Sequence, residues 1–102
     1  MNGMTNEELK EEIECLVMDQ DELNHIIVLE GDEFADGCIG ITDDNHLVYS
    51  YDRLVDSLAE AYEKNGMEDP YVAAMEFIDY NTIRSLPYMR SEGYEPIIIH
   101  EF

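Results

Sequence analysis

Apolar positions recur along this chain at two spacings, and each change of spacing marks an element. Leu9, Ile13, Leu16 and Val17 fall on one face at helical spacing. Thr5 with Glu8 three residues on reads as a capping box, and Met4 and Leu9 stand at the staple positions around it. A first helix over about residues 5–18 is predicted. His25 to Leu29 is short, apolar and β-branched, and reads as a strand. Glu30 to Gly37 reads as an acidic loop. Cys38 to Thr42 is the next strand; Ile39 and Ile41 point one way and Gly40 the other, which implies a close approach there. Asp43-Asp44-Asn45 is a turn with Asn45 suited to a left-handed position, and Leu47 to Tyr49 completes a hairpin.

Ser50 is placed to cap a second helix, with Tyr49 and Leu54 at its staple positions. Its buried stripe is read as Tyr51, Leu54, Val55, Leu58 and Tyr62, and Asn65-Gly66 ends it. Asp69-Pro70 starts a third helix, Asp as N-cap and Pro at the first helical position. Tyr71, Ala74, Met75 and Ile78 form its apolar face, and Pro87 ends it or its extension. Pro96 to His100 reads as a strand buried on both faces or a tightly covered C-terminal one. The order α-β-β-β-α-α-β predicts an α+β domain, a small, mostly antiparallel sheet with helices packed on one face.

Composition then narrows the partners. The chain has 25 Asp+Glu against 5 Lys+Arg in 102 residues, a formal net charge of −20, yet it is 45% hydrophobic. A length of 102 residues suits one domain spanning 1–102. Its charge repels nucleic acid and anionic lipid and attracts basic surfaces. Direct nucleic-acid binding is therefore rejected. The N-terminus is polar and acidic, and no apolar run approaches a membrane span, so a soluble intracellular protein is expected. Cys15 and Cys38 are read as reduced and buried.

Chemistry has little to stand on. His25, His46 and His100 sit in no nucleophile motif, and His46, after a tight acidic turn, reads as solvent-exposed. Asp19-Gln20-Asp21 begins a calcium-loop pattern that fails by its fifth and sixth positions. Glu30, Asp32, Glu33 and Asp36 are the acids on which a metal-dependent enzyme would be built, but their register is wrong for that loop. The sequence therefore reads as non-enzymatic, with no catalytic residue, metal or cofactor assigned. Asp79-Tyr80-Asn81-Thr82-Ile83-Arg84, with Tyr88 beyond, reads as a hydrogen-bonded latch in which Arg84 pairs with Asp79, or else as a recognition site.

The acidic faces remain. Asp52, Asp56, Glu60 and Glu63 recur at i, i+4, i+8 and i+11 on the second helix, with carboxylates roughly 6 Å apart along a stripe that Arg53 and Lys64 do not interrupt. Glu7, Glu11 and Glu14 repeat the design on the first helix. Like charges at i, i+4 cost a few tenths of a kcal/mol each. DNA presents one phosphate per ~3.4 Å along each strand, so two such ridges imitate it coarsely. The plain alternative is acidity for solubility.

Ile39-Gly40-Ile41-Thr42-Asp43-Asp44, Val48-Tyr49-Ser50-Tyr51-Asp52 and Glu76-Phe77-Ile78-Asp79-Tyr80-Asn81-Thr82-Ile83-Arg84-Ser85-Leu86-Pro87-Tyr88 resemble a family of small proteins from bacteriophages and mobile elements of Gram-positive bacteria. The similarity covers about residues 25–100, with the N-terminal helix an addition. It implies a genetic setting, and with it a cytoplasmic location in a bacterial host cell, and transfers no catalytic residue. Small acidic phage proteins often act on host nucleic-acid machinery, as anti-CRISPR proteins do, and this class analogy implies a decoy for a basic nucleic-acid-binding protein such as a CRISPR nuclease. Its contact residues would be Glu7, Glu11, Glu14, Asp52, Asp56, Glu60 and Glu63. Two other readings stand beside it. One is a structural or regulatory interaction module, dimeric through Tyr49, Tyr71, Tyr80, Tyr88 and Tyr94; the other is the metal-dependent enzyme.

Overall fold

A computed structural model describes residues 4–89 and 93–101. Helix α1 (Asn6–Leu16) starts where its capping box stands. The Glu8 N–H donates to Thr5 Oγ1 at 3.2 Å and the Thr5 N–H to Glu8 Oε1 at 3.1 Å. Leu9, Ile13 and Val17 are buried as one i, i+4 row, but Leu16 is 66% exposed. The buried face is narrower than the periodicity predicts, because α1 meets its neighbours along that row alone. Cys15 lies on the far side of the row and is exposed, against expectation; Cys38 is half-buried, and both are free thiols.

The expected strand at His25–Leu29 does not form. Asp19 Oδ1 accepts the Asp21 and Glu22 N–H groups and caps a second helix, α2 (Gln20–His25). His25 is its last residue, and only Ile26 bridges, in parallel, to Tyr94. The helix takes only His25 from the expected run, and Ile26 to Leu29 find a single bridge, too little pairing to make a strand. The acidic loop is likewise interrupted by a single turn, α3 (Asp32–Ala35), which buries Ala35 and stacks Phe34 on Phe77 with ring centroids 6.2 Å apart.

Strands β1 (Cys38–Ile41) and β2 (Leu47–Ser50) form the predicted hairpin. Asn45 takes the left-handed conformation with φ 69°. Cys38 faces Tyr49 and Gly40 faces Val48, so Ile39 is the extra residue of a bulge. The close approach expected at Gly40 is absent, for nothing lies within 4 Å of a Cβ placed there. It occurs at Gly37, where a Cβ would sit 2.6 Å from Leu54 Cδ2.

The last strand, β3 (Ile97–Ile99), pairs in parallel with β2, giving a mixed sheet in the order β1-β2-β3. As an edge strand it leaves Ile97 and Ile99 partly exposed and turns Ile98 to the core, so it is less covered than its composition suggests.

Helix α4 (Tyr51–Lys64) follows β2 without a loop. Ser50 Oγ accepts the Arg53 N–H at 3.4 Å, and Gly66 (φ 81°) ends the helix as predicted. Leu54, Val55, Leu58 and Ala59 are buried, with Tyr51 and Tyr62 packed at the margin.

Helix α5 (Pro70–Phe77) begins at Pro70, though Asp69 makes no side-chain cap bond. The chain then stays helical through a π turn (Ile78–Thr82), a 3-10 turn (Ile83–Ser85) and α6 (Leu86–Met89). Pro87 therefore does not end the run. The 3-10 turn resets the hydrogen-bond pattern, and Pro87 falls in the first turn of α6, where a missing N–H is tolerated. The core gathers Leu9, Ile13, Leu47, Tyr49, Leu54, Leu58, Ala74 and Ile78 among others between the helices and the sheet. The class is α+β, as predicted, and the described residues hold three further short helices, α2, α3 and α6, and one strand fewer than the pattern implied.

Candidate functional site

Burial on one side of a helix fixes what the other side shows. Because α4 buries Leu54, Val55, Leu58 and Ala59, it turns Asp52, Asp56, Glu60 and Glu63 outward, and all four are exposed. Because α1 buries Leu9 and Ile13, it turns Glu7, Glu11 and Glu14 outward, and these too are exposed. Helix α3 packs against both.

Local partners modify the α4 row. Tyr71 Oη donates to Asp56 Oδ1 at 3.0 Å, and that bond, with the Asp56 charge, raises the Tyr71 phenol above its ordinary range. Lys64 Nζ lies 3.7 Å from Glu60 Oε1, so the row is answered at one point, contrary to the expected uninterrupted stripe. Arg53 leans away to Glu101 at 3.4 Å, and Lys10 pairs with Glu30 at 3.4 Å. These are exposed pairs of small worth, screened by salt, and most of the 25 acidic groups have no cation to answer them. Glu63 also stands in the last turn of α4, where the helix dipole disfavours an anion.

The polar segment after α5 is a latch, but with different partners. Asp79 does not meet Arg84. Its Oδ1 accepts the Tyr51 hydroxyl at 3.1 Å, tying the π turn to the first turn of α4. Burial first, and then this bond and the Asp79 charge, raise the Tyr51 phenol. Arg84 instead stacks over the Tyr80 ring, its guanidinium carbon 4.7 Å from the centroid.

His46 is enclosed rather than exposed, at 18% of its side chain. Its Nδ1 is 2.7 Å from the Glu95 carbonyl oxygen, and its ring meets Tyr94 edge-on. Thr42 donates to Asp44 at 2.6 Å; that bond, the Asp44 backbone N–H and His46 hold the Asp44 carboxyl below the usual range. Two of the four loop acids, Glu30 and Asp32, are held by Asn6. The Asn6 N–H donates to Asp32 Oδ1 at 2.8 Å and Asn6 Nδ2 to Glu30 Oε2 at 2.6 Å. Among the described residues no three Asp, Glu, His or Cys side chains converge as a metal would require. No described helix is long and apolar enough to cross a membrane.

Of the tyrosines read as one surface, Tyr49 is fully buried and Tyr94 half-buried, while Tyr71, Tyr80 and Tyr88 are exposed. Tyr49 is inward because β2 is the central strand. The sequence reading missed that α5 buries only Ala74 of its eight residues, leaving Tyr71 and Met75 exposed. The signal was available: Pro70 to Met75 holds no polar residue, so no side of that helix is marked for water. Compared with known proteins, the chain matches no family model, no curated protein and no solved structure.

Proposed function

We propose that the chain is a non-enzymatic acidic inhibitor. It binds a basic nucleic-acid-binding protein by offering carboxylates where that protein expects phosphates, and a CRISPR nuclease is the target class. The observation that supports this reading is the outward carboxylate row Asp52, Asp56, Glu60 and Glu63 on a well-capped helix, with Glu7, Glu11 and Glu14 on α1. A rigid helix holds the charges at a repeat without further ordering on binding. The resemblance to phage and mobile-element proteins supplies a setting in which such a decoy is useful.

Calorimetric titration into purified CRISPR nucleases at low and high salt tests this. Tight association at 50 mM salt that weakens by about a hundredfold at 300 mM is expected, since several carboxylates then lose screened partners. Affinity indifferent to salt rules out a phosphate-like mode.

A further inference from the structure

Helix α5 is the least expected surface of this molecule. Tyr71 is 55% exposed and Val72 50%, and Met75 stands one turn beyond Tyr71 with more than a third of its surface open. Further along the same helical run Tyr80 is 60% exposed. The π turn that carries Tyr80 interrupts regular helix, a departure often found where a surface is used.

Two hydrogen bonds cross from α4 to this run: Tyr71 to Asp56 at one end and Tyr51 to Asp79 at the other. They set aromatic rings directly beside carboxylates along one seam. We infer that this seam, Tyr71 and Met75 flanked by Asp56 and Asp79, docks a partner segment that carries arginines among apolar residues.

Charge chooses the occupant. A second copy would bring another formal −20 against the same acidic flank, and like charges brought together oppose association. An arginine-bearing apolar segment answers both halves of the seam. Its guanidinium stacks on a tyrosine face while donating to the adjacent carboxylate, and its aliphatic side chains cover Val72 and Met75. The chain already shows the first half of this geometry in itself, with Arg84 over Tyr80 at 4.7 Å. Lysine, a compact and strongly hydrated charge, suits the seam less well. The inference rests on the proposed basic partner and adds where the contact centres: the carboxylates steer the encounter, and the α5 seam sets its lifetime.

The test uses a synthetic amphipathic helix with arginines flanking a leucine face. Control peptides replace leucine by serine or arginine by lysine. On titration into the isotopically labelled full chain, amide shifts are expected to centre on residues 71–80, and both control peptides to bind more weakly. Shifts confined to the α4 row, or a serine control that binds equally, overturn the inference. The double variant Tyr71→Ser/Met75→Ser, altered only at exposed positions, is expected to bind at least about tenfold more weakly. Tyr71→Phe, which keeps the ring and loses the Asp56 bond, should stay within about twofold. The shift map on the unaltered chain decides the matter even if the double variant folds poorly.

Failure here is separable from failure of the inhibitor reading. A charge-reversed α4 that loses binding while the α5 variant keeps it refutes this seam and leaves the decoy standing. An Asp52→Lys/Glu60→Lys chain, which leaves Asp56 in place, that keeps binding while the α5 variant loses it supports the seam and refutes the decoy. Light scattering that finds a dimer, dissolved by the double variant, assigns the seam to a second copy and overturns the inference.

Discussion

Reversing Asp52, Asp56 and Glu60 to lysine in one chain is expected to lower affinity for the proposed basic partner by about three orders of magnitude. The three side chains are exposed and stand at i, i+4 and i+8 on α4. Each close pair across a rim contributes up to about 1 kcal/mol, and reversal replaces attraction by repulsion of similar size. Three sites acting this way remove about 4 kcal/mol, and each 1.4 kcal/mol is about tenfold. Folding should survive, because none of the three is buried. The local losses are the Tyr71 bond to Asp56 and the Lys64 contact with Glu60, both at the surface. Surface plasmon resonance with a circular-dichroism control checks the prediction, and an undiminished affinity in a folded triple variant removes the α4 row from the interface.

Substitution of Tyr49 has the largest expected effect on stability. The side chain is fully buried on the central strand, opposite Cys38 on one side and beside Ile98 on the other. Its hydroxyl accepts the Leu29 N–H at 3.1 Å. Tyr49→Phe keeps the ring but orphans that N–H, a loss of about 1–3 kcal/mol. Tyr49→Ala also leaves a cavity, a loss of about 3–5 kcal/mol, out of roughly 5–15 kcal/mol for a domain. Urea denaturation measures both, and a Tyr49→Ala chain as stable as the original contradicts the core described above.

The same residue sets an alkaline limit. Burial pushes the Tyr49 phenol far above its ordinary value, and the Leu29 hydrogen bond offsets only part of that. In the unfolded chain a tyrosine gives up its proton near pH 10, while the folded chain holds it. The unfolded state then binds fewer protons, so stability is intact below about pH 10 and falls as pH rises beyond it. Tyr51 and Tyr71 shift the same way. Unfolding curves between pH 8 and 11 should show a slope that Tyr49→Phe reduces, and an unchanged slope contradicts the assignment.

What could be read in the sequence was what short-range chemistry decides. The capping box at Thr5 and Glu8, the turn at Asn45, the Ser50 cap and the stop at Gly66 all appear where the residues place them. The α1 and α4 carboxylates point outward because the apolar row beneath them was legible. What escaped depends on partners distant in sequence. His25 to Leu29 has strand chemistry, yet its only bridge is Ile26 to Tyr94, and a single bridge makes no strand. Arg84 chose a ring over a carboxylate because Asp79 had been taken by Tyr51, 28 residues earlier. His46 is enclosed by a carbonyl 49 residues away. The exposed face of α5 was hidden for a different reason: an apolar helix is normally read as buried, and here only Ala74 of its eight residues is.

The central claim is that an ordered row of carboxylates takes the place of phosphates in a cationic groove. Its most direct measurement is the fluorescence anisotropy of a labelled DNA duplex held by a CRISPR nuclease, followed as the chain is added at low salt. Stoichiometric release of the duplex is expected, prevented by the Asp52→Lys/Asp56→Lys/Glu60→Lys substitutions and undone by added nuclease. A nuclease that binds the chain while keeping its duplex would contradict it.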